Sequence, residues 1–210
     1  MILNDCRLTG NSAFITGGAV YLRALSGYGS LTLNRTTVSG NSATRGAGLY
    51  VNGAAATVVN STLSHNISSG NGGFCIQSST ANGSLSFVNS TISDNTSEVG
   101  AGIDLSVFGG LIDIRNCTIV GNSTTTNQGG AGIRRVGSAG SIVLDSAIVS
   151  GNKNIVGFAD VSSPGTVVAN YSAIGNTNGF NSTGGNNVIG QDLKLSPLDM
   201  YGGITATYRP

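Results

Sequence analysis

Charged residues are scarce in this sequence, where ten Lys and Arg stand against nine Asp and Glu in 210 residues. The charged fraction of 9% compares with roughly 25% in a typical soluble protein. The formal net charge of +1 offers no basic surface to nucleic acid or to an anionic membrane. No apolar run approaches the roughly 18–20 residues that span a bilayer, so we expect no membrane insertion by this chain.

Cysteine is equally rare, and the three such residues are Cys6, Cys75 and Cys117. Their number is odd, and no pair has the CxxC spacing of a metal site. No group of carboxylates matches the roughly 6–8 oxygen ligands of Ca²⁺, and no Gly-rich phrase contains the lysine of a phosphate-binding loop. We therefore predict no metal and no cofactor, and we interpret the cysteines as small buried side chains rather than disulfide partners.

The sequence also lacks the features of a disordered chain and of a signal peptide. Apolar residues make up 39% of it, which is enough to bury a core despite the low charge. The first residues, Met1 to Cys6, have neither the basic start nor the apolar run of a secretion signal. We expect either that the signal lies outside this chain or that the chain is a piece of a longer protein.

A short phrase recurs six times along the chain: an aliphatic residue, two further residues and then Asn. The spacings between successive Asn residues are 30, 25, 29, 27 and 30, a period typical of solenoid repeats. Two more apolar columns lie eight and ten residues before each Asn. Because these columns are two residues apart, both lie on the same face of a strand. The phrases begin at Leu8, Val38, Leu63, Ile92, Ile119 and Val149 and end at Asn11, Asn41, Asn66, Asn95, Asn122 and Asn152.

These columns predict a coil of short strands with continuous aliphatic ladders inside, because each column recurs once per turn. A Gly-rich phrase after each Asn predicts one corner of the coil, and stacked Asn amides are expected at another corner. The fold prediction is therefore all-β, a parallel β-helix or β-solenoid with six clear rungs, where a rung is one turn of the coil. Regular rungs occupy residues 1–166, and a degenerate seventh rung with a C-terminal closing segment occupies 167–210, within one domain. The phrase Asn187–Gly190 shows no apolar column and is expected to belong to the closing segment.

The pairing of phrases such as Gly17-Gly-Ala-Val20 with the aliphatic-x-x-Asn phrase resembles the repeats of polymorphic outer-membrane proteins and other bacterial surface β-helix proteins. The phrase from Ala147 to Asn152, followed by Asp160-Val161, resembles the final rungs of large secreted β-helix proteins. This resemblance covers nearly the whole chain and implies right-handed coiling, a secreted or cell-surface location, and a role in adhesion or envelope structure. Pectin-lyase-like enzymes share the coil, so the resemblance is specific for the fold rather than for an activity.

Asp113, Arg115 and Asp145 are the nearest approach to a catalytic group in the sequence. Asp113 and Arg115 flank the inward Ile114, so both point outward, and Asp145 aligns with Arg115 one rung later. Strand spacings place the two carboxylates roughly 8 Å apart, within the roughly 6.5–9.5 Å of an inverting glycosidase. Arg115 between them favours the ionised form of both, whereas a general acid must hold its proton at the working pH. We therefore prefer to interpret the three residues as a surface charge ladder.

His65 and Asp94 occupy the same position in consecutive rungs, directly before the repeated Asn. A His–Asp pair can orient a catalytic base, but the neighbouring rungs have Gly at this position and supply no further partners. A solvent-exposed corner pair is the preferred interpretation. Asp104 and Arg134 also align on adjacent rungs and are expected to form a weak, exposed salt bridge.

The functional prediction is a non-enzymatic, extracellular structural or adhesive module, secreted or held at a cell surface. The alternative is a polysaccharide lyase or glycoside hydrolase of the pectin-lyase-like fold, which rests on the coil and on Asp113 and Asp145. Candidate partners are carbohydrate and a host or cell-envelope surface.

Met1 already stands in an apolar column, so an uncapped first rung would expose a strand edge. A further expectation is head-to-tail self-association, in which the C-terminal segment of another copy covers that edge.

Overall fold

The computed structural model describes residues 1–24, 29–77, 84–106, 110–191 and 193–209, without the side chains of residues 75–77 and 158. Short strands and turns form this part of the chain, and nothing in it is helical. The described residues accordingly contain no helix long and apolar enough to cross a membrane. Equivalent strands of successive rungs pair in parallel, and the predicted β-solenoid, with about six turns, is confirmed. The right-handed sense of the coil stays a prediction, in line with the handedness of parallel crossovers.

The strands form four sheets that run along the coil, here numbered 1 to 4 in the order in which a full rung contributes to them. Sheet 1 contains β1 (Ile2–Asn4), β4 (Gly29–Asn34), β8 (Ala54–Val59), β12 (Ser84–Val88), β16 (Leu111–Arg115), β20 (Ser141–Asp145), β25 (Thr166–Asn170) and β27 (Ser182–Thr183). Sheet 2 contains β2 (Arg7–Thr9), β5 (Thr37–Ser39), β9 (Thr62–Ser64), β13 (Thr91–Ser93), β17 (Thr118–Val120), β21 (Ile148–Ser150), β26 (Ala173–Ile174) and β28 (Val188–Ile189).

The other two sheets are shorter and close each rung on its opposite side. Sheet 3 contains β6 (Ser42–Ala43), β10 (Ile67–Ser68), β14 (Thr96–Ser97), β18 (Ser123–Thr124), β22 (Lys153–Asn154) and β23 (Gly157–Phe158). Sheet 4 contains β3 (Val20–Arg23), β7 (Leu49–Asn52), β11 (Phe74–Gln77), β15 (Ile103–Leu105), β19 (Ile133–Arg135) and β24 (Val161–Ser162). The pairing of β22 with β23 is antiparallel, unlike the pairing between rungs.

Alternation along each strand places the aliphatic columns inside the coil. In β16, Ile112 and Ile114 are fully buried, while Leu111 and Arg115 are exposed. Ile114 stands in register with Leu144 of the next rung. Each such fully buried side chain contributes roughly 1.5–3 kcal/mol of hydrophobic stabilisation, so the stacked columns hold the rungs together.

The C-terminal region departs from the sequence-based expectation. The phrase Asn187–Gly190 was expected to lie outside the ladders, yet β28 within it pairs with Ala173–Ile174 and extends sheet 2. Ser182–Thr183 extends sheet 1 in the same way. This pairing needs only backbone groups, which the apolar pattern of a sequence does not report. The side chains of Val188 and Ile189 are exposed, so the aliphatic columns themselves do not continue here. The division of the chain at residue 166 stays a prediction.

The last residues, 193–209, here called the C-terminal tail, turn back along the outer side of sheet 2. Ala206 accepts a hydrogen bond from Thr62 Oγ1 at 2.6 Å, and Thr207 Oγ1 accepts one from Thr91 Oγ1 at 2.9 Å. Thr205 Oγ1 donates to the carbonyl of Asn60 at 3.3 Å. The tail therefore lies against the side of the third and fourth rungs rather than across the end of the coil.

This docking changes the surroundings of Thr91, which the column pattern places on the outside of the coil. An outward position predicts solvent contact and tolerance of Asp, but Thr91 is only 3% exposed because the tail covers it. Thr62, at the matching position of the previous rung, is covered as well. The outward position of Thr91 is therefore not an exposed one, and a mild effect of Thr91→Asp is no longer expected. The outer faces of β9 and β13 form a second buried layer.

Candidate functional site

The repeated Asn residues form a buried ladder along the inside of one corner. The backbone N–H and Nδ2 of Asn66 both donate to Asn95 Oδ1, at 3.0 and 2.9 Å, and Asn66 Nδ2 also donates to the carbonyl of Val38 at 3.0 Å. Asn122 makes the equivalent bonds to Asn152 Oδ1. Because each amide bonds to the next rung and to a backbone carbonyl, these buried polar groups are satisfied. Their arrangement serves stacking and leaves little hydrogen-bonding capacity for a ligand.

A second ladder lies five residues before each Asn and was not predicted. Ser61 Oγ accepts from the backbone N–H of Thr36 at 3.0 Å, and Ser90 Oγ accepts from that of Ser61 at 3.1 Å. Cys117 continues this column, and its thiol donates to the carbonyl of Arg115 at 3.1 Å. Burial raises the pKa of Cys117 to about 12, so the thiol keeps its proton and is not a nucleophile at neutral pH.

Among the cysteines whose side chains the structure describes, Cys6 is a half-buried free thiol, Cys117 is a buried free thiol, and neither forms a disulfide. The side chain of Cys75 lies outside the described residues, so its expected inward packing stays a prediction. Within the described residues there is no group of three or more His, Cys, Asp or Glu side chains that could hold a metal ion.

The three residues of the first catalytic hypothesis lie on the outer face of sheet 1. Arg115 Nε donates to Asp113 Oδ1 at 2.9 Å within β16, and both side chains contact solvent. Asp145 stands directly opposite Arg115 on β20. The guanidinium thus pairs with the carboxylate of its own strand.

The second hypothesis pairs His65 with Asp94, which both stand at a corner with a left-handed backbone (φ 56° and 53°). Other rungs place Gly at this corner, as at Gly40 and Gly121, because a left-handed backbone suits glycine. His65 is exposed, whereas Asp94 Oδ2 accepts a hydrogen bond from Tyr208 of the C-terminal tail at 2.6 Å. Among the described side chains, His65 and Asp94 make no hydrogen bond to each other, and Asp94 instead anchors the tail.

Asp104 and Arg134 form an ion pair between β15 and β19, with Arg134 Nη1 2.9 Å from Asp104 Oδ1. Asn71 Nδ2 and Ser106 Oγ donate to the other oxygen, Asp104 Oδ2, at 2.7 and 2.5 Å. The side chain of Asp104 is fully buried, so the expectation of a weak, exposed salt bridge is wrong. Asn71 and Ser106, which satisfy the second oxygen, carry no signal in the repeat pattern.

Arg135 is a buried charge that the sequence pattern did not predict. It stands in register with Leu105, in a column that is apolar in the preceding rung, and it is 2% exposed. Its Nη2 donates to the carbonyls of Gly110 and Ala139, while Nε and Nη1 have no partner among the described atoms. Burial lowers the pKa of Arg135 from its ordinary value, as expected for a desolvated cation.

A groove of about 510 Å³ opens between the corner of sheets 1 and 2 and the C-terminal tail. Asn60, Asn89 and Asn116 line one wall, each with a left-handed backbone (φ 50°, 50° and 51°). Ile204 and Thr205 lie on the opposite wall, which the tail supplies. The groove combines an exposed row of side-chain amides with a defined volume, and we call it the amide groove.

Compared with protein-family models, with curated proteins and with solved structures, the chain matches none. The structure therefore supports the resemblance to surface β-helix repeats at the level of the solenoid and no further.

Sequence reasoning missed the amide groove because its two walls are far apart in the chain. Asn60, Asn89 and Asn116 were visible as a column, each as the first residue of a glycosylation sequon. The tail that faces them has no repeat signal, and the bond from Thr205 to Asn60 spans 145 residues. In three consecutive rungs, an Asn stands six residues before the Asn of the buried ladder. This column is the sequence signal from which one wall of the groove could have been predicted.

Proposed function

We propose that this chain is a non-enzymatic structural and adhesive module of an extracellular or cell-surface protein. The observation that carries the proposal is the unbroken Asn ladder from Asn11 to Asn152, in which every rung is tied to the next by side-chain hydrogen bonds. Ladders of this kind fix the rungs at regular spacing and make the coil stiff along its axis. A stiff coil with periodic side faces suits the display of binding surfaces.

The state of the catalytic candidates also supports this proposal. Asp113 is engaged by Arg115, and Asp94 by Tyr208. A general acid of a glycosidase must donate a proton to the substrate, whereas the Asp113 carboxylate is engaged in an ion pair with Arg115. The alternative, a polysaccharide lyase or glycoside hydrolase, rests on Asp113 and Asp145 sharing the outer face of neighbouring strands.

The location and the partners are part of the same proposal. The resemblance of the repeats to bacterial surface β-helix proteins supports a secreted or cell-surface location, and carbohydrate or a host or cell-envelope surface is the proposed partner. The low charge favours hydrogen-bonding and apolar contacts over electrostatic attraction as the basis of adhesion.

Incubation with a panel of neutral and acidic polysaccharides tests the proposal. Reducing ends and unsaturated products report turnover, and co-sedimentation with the insoluble polysaccharides reports binding. We expect binding without turnover, unchanged in Asp145→Asn. Turnover that Asp145→Asn abolishes, with the fold retained in circular dichroism, would establish the enzymatic alternative instead.

A further inference from the structure

The wall of the amide groove is a second, exposed ladder of asparagines. Asn116 Nδ2 donates to Asn89 Oδ1 at 3.2 Å, and Asn89 Nδ2 donates to Asn60 Oδ1 at 3.2 Å. Asn89 and Asn116 are exposed, unlike the buried Asn ladder inside the coil. Each amide nitrogen carries two protons and each amide oxygen two lone pairs, so one bond per group leaves half of this capacity directed to solvent. The wall is a preformed row of donors and acceptors.

The lining of the groove excludes an ionic ligand. The ten described residues that line it include no Asp, Glu, Lys, Arg or His. A carboxylate, sulfate or phosphate group is recognised by Arg, Lys or several convergent N–H donors, and its burial without them is costly. A peptide that adds as a further strand is also a poor fit, because that mode needs the free backbone groups of a strand edge, whereas side-chain amides line this wall.

Neutral sugars match both the chemistry and the dimensions. A sugar hydroxyl donates and accepts as an Asn amide does, and the exposed Ile204 (62%) on the other wall offers an apolar surface to the C–H face of a ring. Three asparagines on consecutive rungs make a row about 10 Å long at the spacing of paired strands. The volume of about 510 Å³ lies within the roughly 300–1,000 Å³ of small-molecule sites.

We infer that the amide groove binds a neutral polysaccharide, as a chain of linked sugars lying along the coil axis over Asn60, Asn89 and Asn116. The inference rests on the proposed adhesive role and names the site and the ligand class. The C-terminal tail is part of this site, since Thr205 holds the tail to the carbonyl of Asn60 and Ile204 lines the groove.

The test uses the full chain produced in bacteria that do not glycosylate sequons. The probes are a soluble β-glucan, a mannan and an arabinoxylan as neutral chains, with polygalacturonate and dextran sulfate as polyanions, and isothermal titration calorimetry measures binding. The double variant Asn89→Gly/Asn116→Gly removes two amides and keeps residues that tolerate a left-handed backbone. Asn186→Gly is the matched control, because Asn186 also has a left-handed backbone (φ 60°) and lies outside the groove.

We expect at least one neutral chain to bind, with affinity lowered roughly tenfold in the double variant and unchanged in Asn186→Gly, since each lost hydrogen bond weakens binding several-fold. Thermal denaturation of both variants verifies that they are folded. Absence of neutral binding, or preference for a polyanion, would overturn the inference. Neutral binding that the double variant leaves intact would also overturn it, while the adhesive role would stand on another face of the coil.

Discussion

At the scale of single residues, the buried Asn ladder ends on a carboxylate. Asp160 Oδ1 accepts hydrogen bonds from the backbone N–H and Nδ2 of Asn152, while its Oδ2 is buried without a hydrogen bond of normal geometry. Burial raises the pKa of Asp160 above its ordinary value of 3.8, and the contacts with Asn152 and with the backbone of Asn176 only partly oppose this shift. The ionised form of Asp160 therefore opposes folding.

Asp160→Asn is expected to stabilise the chain at neutral pH by about 1–3 kcal/mol, the typical cost of an unsatisfied buried polar group. The folded state holds this proton to higher pH than the unfolded state does. The unfolding free energy of the wild type therefore falls as the pH rises from 3.8 through the raised pKa, whereas the variant lacks this loss. Below pH 3.8 the group is neutral in both states, and the two proteins should converge.

Urea denaturation across this pH range measures the effect, with the exposed Asp199→Asn as the control that should show little change. A stability difference that does not vary with pH would contradict the role given to Asp160.

Single positions also show how far the sequence could be interpreted. The columns of Leu63, Ile92 and Ile119 were readable because inward and outward positions alternate within a strand, and stacking repeats them at each rung. Asp160 was not readable as the end of the ladder, since it lies eight residues after Asn152 instead of one period later. The burial of Thr91 could not be predicted from the sequence either, because its partner Thr207 is 116 residues away and outside the repeat.

At the scale of elements, the C-terminal tail is held to sheet 2 by polar contacts, and Tyr208 makes one of them. Its hydroxyl donates to Asp94 Oδ2 at 2.6 Å. Burial, together with the bond to Asp94 and its charge, raises the pKa of Tyr208 from 10.0 to about 12. Tyr201, in contrast, donates to the carbonyl of Pro197 within the tail itself.

Tyr208→Phe is expected to loosen the tail at a cost of about 1 kcal/mol, the usual net value of one hydrogen bond. Amide hydrogen exchange of residues 62–64 and 91–93, beneath the tail, should speed up. Because folded Tyr208 keeps its proton to higher pH than unfolded Tyr208, wild-type stability should fall between pH 10.0 and about 12, and this loss should be absent in the variant.

Tyr201→Phe is the matched control, since it removes the same hydroxyl from a bond that does not reach the coil. Equal exchange beneath the tail in the two variants would contradict the anchoring role of Tyr208.

At the scale of the whole molecule, contacts between rungs are local along the axis, so the chain is close to a one-dimensional stack. Four sheets of parallel strands with constant register carry these contacts, and this is the part of the fold that the repeat predicts. The repeat does not predict the structure that follows its last clear rung. There, β27 and β28 prolong two sheets, and the C-terminal tail turns back along the side of the coil. Head-to-tail association stays a prediction, and in this arrangement the edge offered to another copy belongs to β27 and β28.

A stack of this kind should tolerate the loss of one whole period. Deleting residues 96–122 removes one period of 27 residues and joins Asn95 directly to Ser123. Asn95 then lies opposite Asn152 in place of Asn122. The deletion removes one strand from each sheet, so that β12 meets β20, β13 meets β21, β10 meets β18 and β11 meets β19 in unchanged register. The tail keeps its contacts with Thr62, Thr91 and Asp94. We expect a folded coil with lower unfolding free energy, since one set of rung interfaces is lost.

Deleting only residues 96–108 removes about half a period and serves as the control. It displaces the aliphatic columns relative to the rungs on either side, so apolar residues would face solvent and the ladder from Asn95 to Asn122 could not close. Circular dichroism, thermal denaturation and gel filtration should show a β-rich protein that unfolds cooperatively and has the wild-type oligomeric state for the whole-period deletion, and an unfolded or aggregated chain for the half-period one. If both deletions fold equally well, or if neither does, stability does not depend on stacking in register, and the one-dimensional description of this coil fails.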